Sequence, residues 1–373
     1  MKKFIIKYTS IIFLNLTLFI PLVSFSQLSN LVFPDTKWEK LNPEKNGWSV
    51  SKLMKAETFF DSLPPASVLI IDNGKVIAEW GDPAMRIKIS SMRKSLLSCL
   101  YGIHVHGGDI NINKTLDELG VDDNPPLTPK ENKATVKMLL EARSGIYHSY
   151  VAGTPAMRAK MPLRGSHEPG TFWYYNNWDF NALGAIFEQE THEKIAEAFD
   201  KEIAAPLQMQ DFRKEDMYYL HSAADAPDYE RSVYPAYHFR MSARDLARFG
   251  YLYLCKGKWN GTQVVPSDWI TESTQSYSVT NNDGGGYGYL WWVNDFGTDI
   301  KCFSAEGALG KYIIVIPERN LVIVYLNHTE FPDDTHNMSA DDIKKLPTET
   351  DAQMKHLLQM LLEAQSLKNT SDK

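Results

Sequence analysis

Residues 67–72 and 75–81 are β-rich runs, and the pair between them is Asn73-Gly74. Asn-Gly is the dipeptide that a two-residue type I′ turn prefers, because both central positions need positive φ. The pattern therefore predicts a β-hairpin. The far end of the chain mirrors it. Residues 301–305, 311–317 and 321–327 read as three strands, the last two joined by Glu318-Arg319-Asn320. Helical spacing of Leu53, Ala56, Phe59 and Phe60 predicts a helix over 49–62, and a second apolar stripe predicts a final helix over about 350–367. Between these ends the patterns are mainly helical, at 91–106, 134–142, 177–190, 192–204, 242–256 and 266–274. Gly284-Gly285-Gly286 reads as a turn before a strand over 287–293. The predicted fold class is α+β. The hairpin and the C-terminal strands share one antiparallel sheet, flanked by the N- and C-terminal helices, with a mainly helical lobe inserted over about 91–285.

The chain begins with Lys2, Lys3 and Lys7, then an apolar run over 11–23 that ends in Ser24-Phe25-Ser26. A basic start, an apolar centre and small residues at the last and third-last positions describe a secretory signal peptide over 1–26. The apolar run, broken by Asn15 and Thr17, is short for a membrane span of about 20 residues. Periplasmic or secreted localisation is expected, with no stable membrane span once the signal is removed. A polar lead follows over 27–48, then the main domain over 49–367 and a tail over 368–373.

Signal removal takes three of the 39 Lys and Arg residues, leaving 36 against 46 acidic residues and a net charge of −10. An acidic chain without a basic cluster is a poor binder of nucleic acid phosphates, so no nucleic acid partner is expected. Cys99, Cys255 and Cys302 are odd in number and lie in apolar settings, which points to buried free thiols.

Ser91-Met92-Arg93-Lys94 opens a helix soon after the hairpin. Residues three apart share a helix face, so hydroxyl and amine can meet, and the free N–H groups of a helix start favour negative charge on the serine oxygen. The lysine must be neutral to accept a proton, which requires burial or a neighbouring cation. Spacing alone is weak support, because Ser49-Val50-Ser51-Lys52 has it too, at the start of the first helix where a solvated cap explains it better. A second candidate is Tyr175 of Tyr175-Asn176-Asn177: a tyrosine near a lysine can relay a proton to a leaving group, and an asparagine can orient lysine or substrate.

Together these residues resemble the penicillin-recognising serine hydrolase superfamily: class C β-lactamases, D-alanyl-D-alanine carboxypeptidases, related esterases and 6-aminohexanoate-dimer hydrolases. Ser91 and Lys94 match its first motif. Tyr175 and Asn177 match its second, with Gly184 seven residues on. Met138 to Ile146, Met241 to Gly250 and Gly307 to Asn327 agree as well. The resemblance spans roughly 50–365. It implies an active site where the inserted lobe meets the sheet, and an oxyanion hole from the backbone N–H groups of Ser91 and Ala308. The third family motif, Lys-Thr-Gly or His-x-Gly, falls on Ala305-Glu306-Gly307: the glycine remains, the cation is gone, and Glu306 adds negative charge if it faces the cleft. Esterase or amidase activity on less anionic small-molecule or peptide substrates is therefore expected ahead of β-lactamase or carboxypeptidase activity, with a non-catalytic relative that binds cell-wall peptide or a partner as the rival. Substrate-binding candidates are Asn177 and Gly307, with Tyr147 and Tyr150 on a loop that either meets substrate or caps the fold. There is no Gly-x-Ser-x-Gly elbow, His-Glu-x-x-His or phosphate-cradling loop. His104 and His106, two apart, cannot share a helix face. No metal or cofactor is expected.

Overall fold

A computed structural model describes residues 32–222, 228, 231–280, 285–294, 296–331 and 339–365. The predicted signal peptide, residues 27–31 of the lead and the 368–373 tail lie outside the described residues.

Asn73 and Gly74 both take positive φ, 49° and 83°, as the type I′ turn requires. They join β1 (Ala66–Asp72) to β2 (Lys75–Trp80). In the interior of the chain lie β3 (Ile87–Lys88), β4 (Met217–Leu220), β5 (Ala236–Met241) and a small hairpin of β6 (Lys258–Trp259) and β7 (Thr262–Gln263). The C-terminal region supplies β8 (Ser278–Val279), β9 (Gly286–Tyr287), β10 (Trp292–Asn294), β11 (Cys302–Gly307), β12 (Lys311–Ile316) and β13 (Leu321–Asn327). The main sheet runs β2-β1-β13-β12-β11-β10-β9-β8. Antiparallel pairing of Ala66 with Asn327 through Asp72 with Leu321 joins the two ends of the chain, as the sequence pattern predicts.

Each face of this sheet has its own core. Val68, Ile70, Ile314 and Tyr325 pack with Leu53, Ala56 and Phe60 of the first helix, Val50–Phe60, and with Leu357, Leu358 and Leu361 of the last helix, Asp351–Ala364. Residues one position along, Leu69, Ile71, Ile313 and Val324, face the inserted lobe. That alternation is the period-two consequence of a strand buried on both sides. Removing one such buried ring, as in Phe60→Ala, costs about 3–5 kcal/mol.

The lobe carries the helices Arg93–Gly107, Val136–Leu140, Asn177–Thr191, Ala243–Leu254 and Ser267–Ser273. Three of its differences from the sequence pattern bear on the site. A three-stranded sheet, β3-β5-β4, lies within it and is built from strands of two to six residues. The expected helix over 192–204 starts only at Ile195, because His192 takes a left-handed φ of 57° and ends the preceding helix. The expected strand over 287–293 is split into β9 and β10. Leu290 takes a φ of 63°, and the Tyr289 and Leu290 amides donate to Ser273 and Leu140 instead of to a strand.

Candidate active site

The chain reaches the site from β3. The Ile89 amide donates to the Phe239 carbonyl (3.0 Å), Ser90 takes a left-handed φ of 52°, and one 3-10 turn, Ser90–Met92, leads into the helix Arg93–Gly107. Positive φ at a non-glycine residue costs about 1–3 kcal/mol and persists where the surroundings hold it. Here buried Ile89 and Met92 anchor both sides of the turn, and Ser91 is left half-buried at the mouth of a cavity.

Lys94 lies behind Ser91 with its Nζ 2.9 Å from Ser91 Oγ and 2.7 Å from Tyr175 Oη. The side chain is buried, 2% exposed. Burial first, and the Arg93 charge second, hold its amine well below the usual lysine range. The faces of Tyr175 and Phe180, 4.6 and 4.7 Å from Nζ, pull the other way. A ring face favours an ammonium by about 0.5–2 kcal/mol, whereas taking a charge out of water costs several kcal/mol. Dehydration outweighs the ring faces, so the site favours the neutral amine. One lone pair can then accept the Ser91 proton while an N–H donates to Tyr175. The Tyr175 phenol is pushed up by burial, so it stays protonated, and Trp292 stacks on its ring (5.4 Å, 21°). Of the two, Lys94 is the candidate base, because burial favours its neutral form.

Tyr175 is held by the start of the helix Asn177–Thr191. Asn176 caps that helix, and its Nδ2 donates to the Ile146 carbonyl (2.6 Å) and to Asp179 Oδ1 (2.8 Å). Ser144 Oγ donates to the same carboxylate oxygen (2.6 Å), which ties the loop over 144–146 to the helix. Asp179 is fully buried, and burial pushes its carboxyl well above the usual range. Gly184 lets the helix approach β5, since a Cβ there would meet the Tyr237 ring at 2.7 Å.

The opposite wall is β11 and the turn after it. Gly307 packs where a Cβ would come 2.5 Å from the Ile89 carbonyl oxygen, so its lack of a side chain brings Ala308 to the cavity that Ser91 borders. Lys311, fully buried, donates to the carbonyls of Ala308 (3.3 Å) and Thr329 (2.7 Å) and holds this turn; burial pushes its amine down to about 8. Asn177 lines the cavity, with Nδ2 donating to the Ala152 carbonyl (2.8 Å).

Two expectations need correction. Glu306 does not face the cleft. Cys302, four positions before it, packs with the first and last helices, whereas Phe303 and Ala305 pack in the lobe core. Alternation thus puts Glu306 on the far face of the sheet, where it accepts from Ser304 Oγ (2.7 Å) and Asn294 Nδ2 (3.1 Å) in a separate cavity of about 390 Å³ bordered by Asp351. Burial pushes its carboxyl up to about 7. Tyr147 and Tyr150 are not on the Ser91 cavity: they are 4% and 1% exposed, Tyr147 bonded to His167 (2.9 Å) and Tyr150 packed against Gly153. Both support the wall from behind.

Trp291 is core and Trp292 is rim. The three cysteines are free and buried. His104 lies near Glu193 and Glu202, within ligand distance of a shared ion, but the Lys201 ammonium already bridges both carboxylates (3.3 and 3.4 Å). Sequence reasoning missed Lys311, Asp179, Arg93 and His238. Arg93 and His238 both border the Ser91 cavity, and the one signal available was that Arg93 stands inside the motif.

The Beta-lactamase family model matches residues 52–346. An uncharacterized protein of Alkalihalophilus pseudofirmus is 24% identical over 69% of this chain and 82% of its own length. Protein flp of Staphylococcus aureus is 22% identical over 71% of this chain, which spans 59% of that protein. Among solved structures, a putative 6-aminohexanoate-dimer hydrolase from Bacillus anthracis superposes with a TM-score of 0.59 at 17% identity, covering 89% of each chain. A putative beta-lactamase from Bacteroides dorei superposes with a TM-score of 0.60 at 14% identity, covering 85% of this chain and 99% of the other. These likenesses match the β-lactamase/transpeptidase-like fold described above, and with the family model spanning most of its residues, the chain belongs to the beta-lactamase family of serine hydrolases.

Proposed function

We propose that the protein is an exported hydrolase that cleaves an ester or amide bond through an acyl-enzyme on Ser91. One observation carries this reading: a buried Lys94 amine, its pKa lowered by burial, stands between Ser91 Oγ and Tyr175 Oη at hydrogen-bond distance from both. Ser91 Oγ attacks the carbonyl carbon as its proton passes to Lys94 Nζ. The carbonyl electron pair moves onto oxygen, where the backbone N–H groups of Ser91 and Ala308 hold it. Collapse breaks the bond to the leaving group, which takes the proton from Lys94 through the Tyr175 hydroxyl. Water repeats the sequence on the acyl-enzyme and frees Ser91. The basic and apolar start of the chain supports export, and small-molecule or peptide substrates suit the family.

Ester or amide chemistry ranks ahead of β-lactam chemistry because the strand β11 presents Ala305 where the family motif has a cation. The test is hydrolysis of a p-nitrophenyl ester together with intact mass after fluorophosphonate treatment. The wild type gains one adduct, on Ser91, and Ser91→Ala loses both adduct and turnover. An unlabelled, inactive wild type would favour a binding protein, and full activity in Ser91→Ala would exclude this site.

A further inference from the structure

The cavity onto which Ser91 opens has a chemical character of its own. Its volume is about 70 Å³, room for several water-sized groups where one needs about 10–15 Å³. Besides Ser91, Asn177 and Ala308, it is bordered by Arg93, His238 and Lys88, and its described lining contains no carboxylate.

Three buried polar side chains on this lining are incompletely satisfied. Arg93 is 2% exposed. Its Nη2 donates to Asn181 Oδ1 (3.2 Å) and its guanidinium lies over the Tyr237 ring (4.3 Å), but Nη1 has no hydrogen-bond partner among the described residues. Asn181 and Tyr237 are both neutral, so nothing in those contacts balances the Arg93 charge. His238 is 5% exposed, and neither ring nitrogen has a partner among the described residues. Asn177 Oδ1 is likewise without one. Buried polar groups are nearly always paired, and a buried guanidinium without a counter-charge is especially costly. Glu330, the acid that follows this region, is engaged by Arg240 in a two-pronged ion pair (2.6–3.0 Å).

The sign of the missing partner follows from the donors. An arginine has only N–H groups to offer, and its fork matches a carboxylate. A neutral imidazole adds one further N–H. The His238 ring is held well below its usual range by burial first and then by the neighbouring Arg93 and Lys88 charges, cations that border the same cavity.

We propose that this cavity takes a carboxylate of the substrate, held by Arg93 and His238, so that the preferred substrates are esters or amides carrying an anionic group within a few bonds of the scissile carbonyl. The proposal rests on Ser91 as nucleophile. It also relocates the cation that Ala305 lacks: positive charge stands on the lobe side of Ser91, on the nucleophile's own helix, rather than on the strand.

The test compares mono-p-nitrophenyl glutarate with its methyl ester, which has the same acyl chain without the charge. The wild type should favour the acid by about 10- to 100-fold in kcat/KM, the range of one or two charge-assisted hydrogen bonds. Arg93→Gln should remove most of that ratio, and Arg93→Lys should restore part of it. The ratio is the readout because Arg93 also acts on Lys94, which affects both substrates equally. Should Arg93→Gln fail to fold, the wild type still decides: glutarate, but not glutaramide, should slow fluorophosphonate labelling of Ser91. Equal rates on the two esters, with no protection by glutarate, would overturn the anion site while leaving the hydrolase intact. Hydrolysis of the methyl ester that survives Ser91→Ala would overturn the nucleophile instead.

Discussion

The chain contains Ser-x-x-Lys twice, and only one copy makes a site. Ser49 caps the first helix: its Oγ accepts from the Lys52 amide at 3.4 Å and meets Ser51 Oγ at 3.1 Å. Lys52 turns away, and its Nζ donates to the Glu363 carbonyl (3.0 Å) at the surface. Ser91 has the same spacing to Lys94, yet there the amine is buried beneath Tyr175 and Phe180 and bonded to the serine. Spacing supplies proximity in both copies. What differs is dehydration: the Lys52 side chain stays at the surface, while Lys94 is buried and its amine is held well below the usual lysine range. The helix behind each copy decides this, since Leu96, Leu97 and Leu100 are buried, whereas Val50 and Met54 are exposed.

The comparison breaks most sharply at the serines. Ser91→Ala should lower kcat/KM for a p-nitrophenyl ester by about 10⁴-fold or more, the scale seen when a covalent nucleophile is removed. Tyr175→Phe comes next. It leaves Ser91 and Lys94 in place but takes away the relay hydroxyl, so a loss of about 10²-fold or more in kcat is expected, and the loss should shrink for esters whose leaving group needs no proton. An equal loss for p-nitrophenyl and alkyl leaving groups would assign Tyr175 to positioning alone. The pH profile sharpens the same contrast. Lys94 must be neutral to act, so the rate should rise with pH through its depressed pKa and level off well below pH 10.5; a rise that continues to that value would mean that burial does not depress Lys94.

Gly307→Ala tests the strand that completes the site. A Cβ there would meet the Ile89 carbonyl at 2.5 Å and Lys311 Cβ at 3.1 Å, so β11 must move away from the turn that carries Ser91. A shift of this kind should cost about 10- to 100-fold in kcat, along with some stability. A lowered melting temperature with undiminished kcat would mean that Ala308 is not an oxyanion donor.

Much of this site was legible because its parts are local or repeat with a simple period. Asn73-Gly74 announces its turn, the strand pairs follow apolar runs, and Ser91 and Lys94 are three apart where a 3-10 turn runs into a helix. Even the face of Glu306 follows from parity, once Ala305 is known to be buried against the lobe. The cavity wall was not legible. β3 has two residues and β4 has four, too few to show a period, and β3 pairs with β5 across more than a hundred residues of chain. His238 is placed beside Ser91 only by that pairing. Arg93 was visible as the spacer before Lys94, but nothing local says that its partners are Asn181 and Tyr237.

The smallest expected effect belongs to the silent copy. Ser49→Ala removes a cap whose hydrogen bond, at 3.4 Å, is longer than the usual 2.7–3.2 Å. The loss should therefore fall near the low end of the capping range, about 0.5 kcal/mol, which in a chain of this size lowers the melting temperature by about 1 °C or less. Activity should stay at the wild-type value, because the helix Val50–Phe60 packs on the face of the sheet opposite Ser91. Lys52→Met, measured beside it, should be equally silent, since an exposed bond to a carbonyl is exchanged for water. A drop in kcat for either variant without a drop in stability would show that the two faces of the sheet are coupled, and that the first copy is not merely a cap.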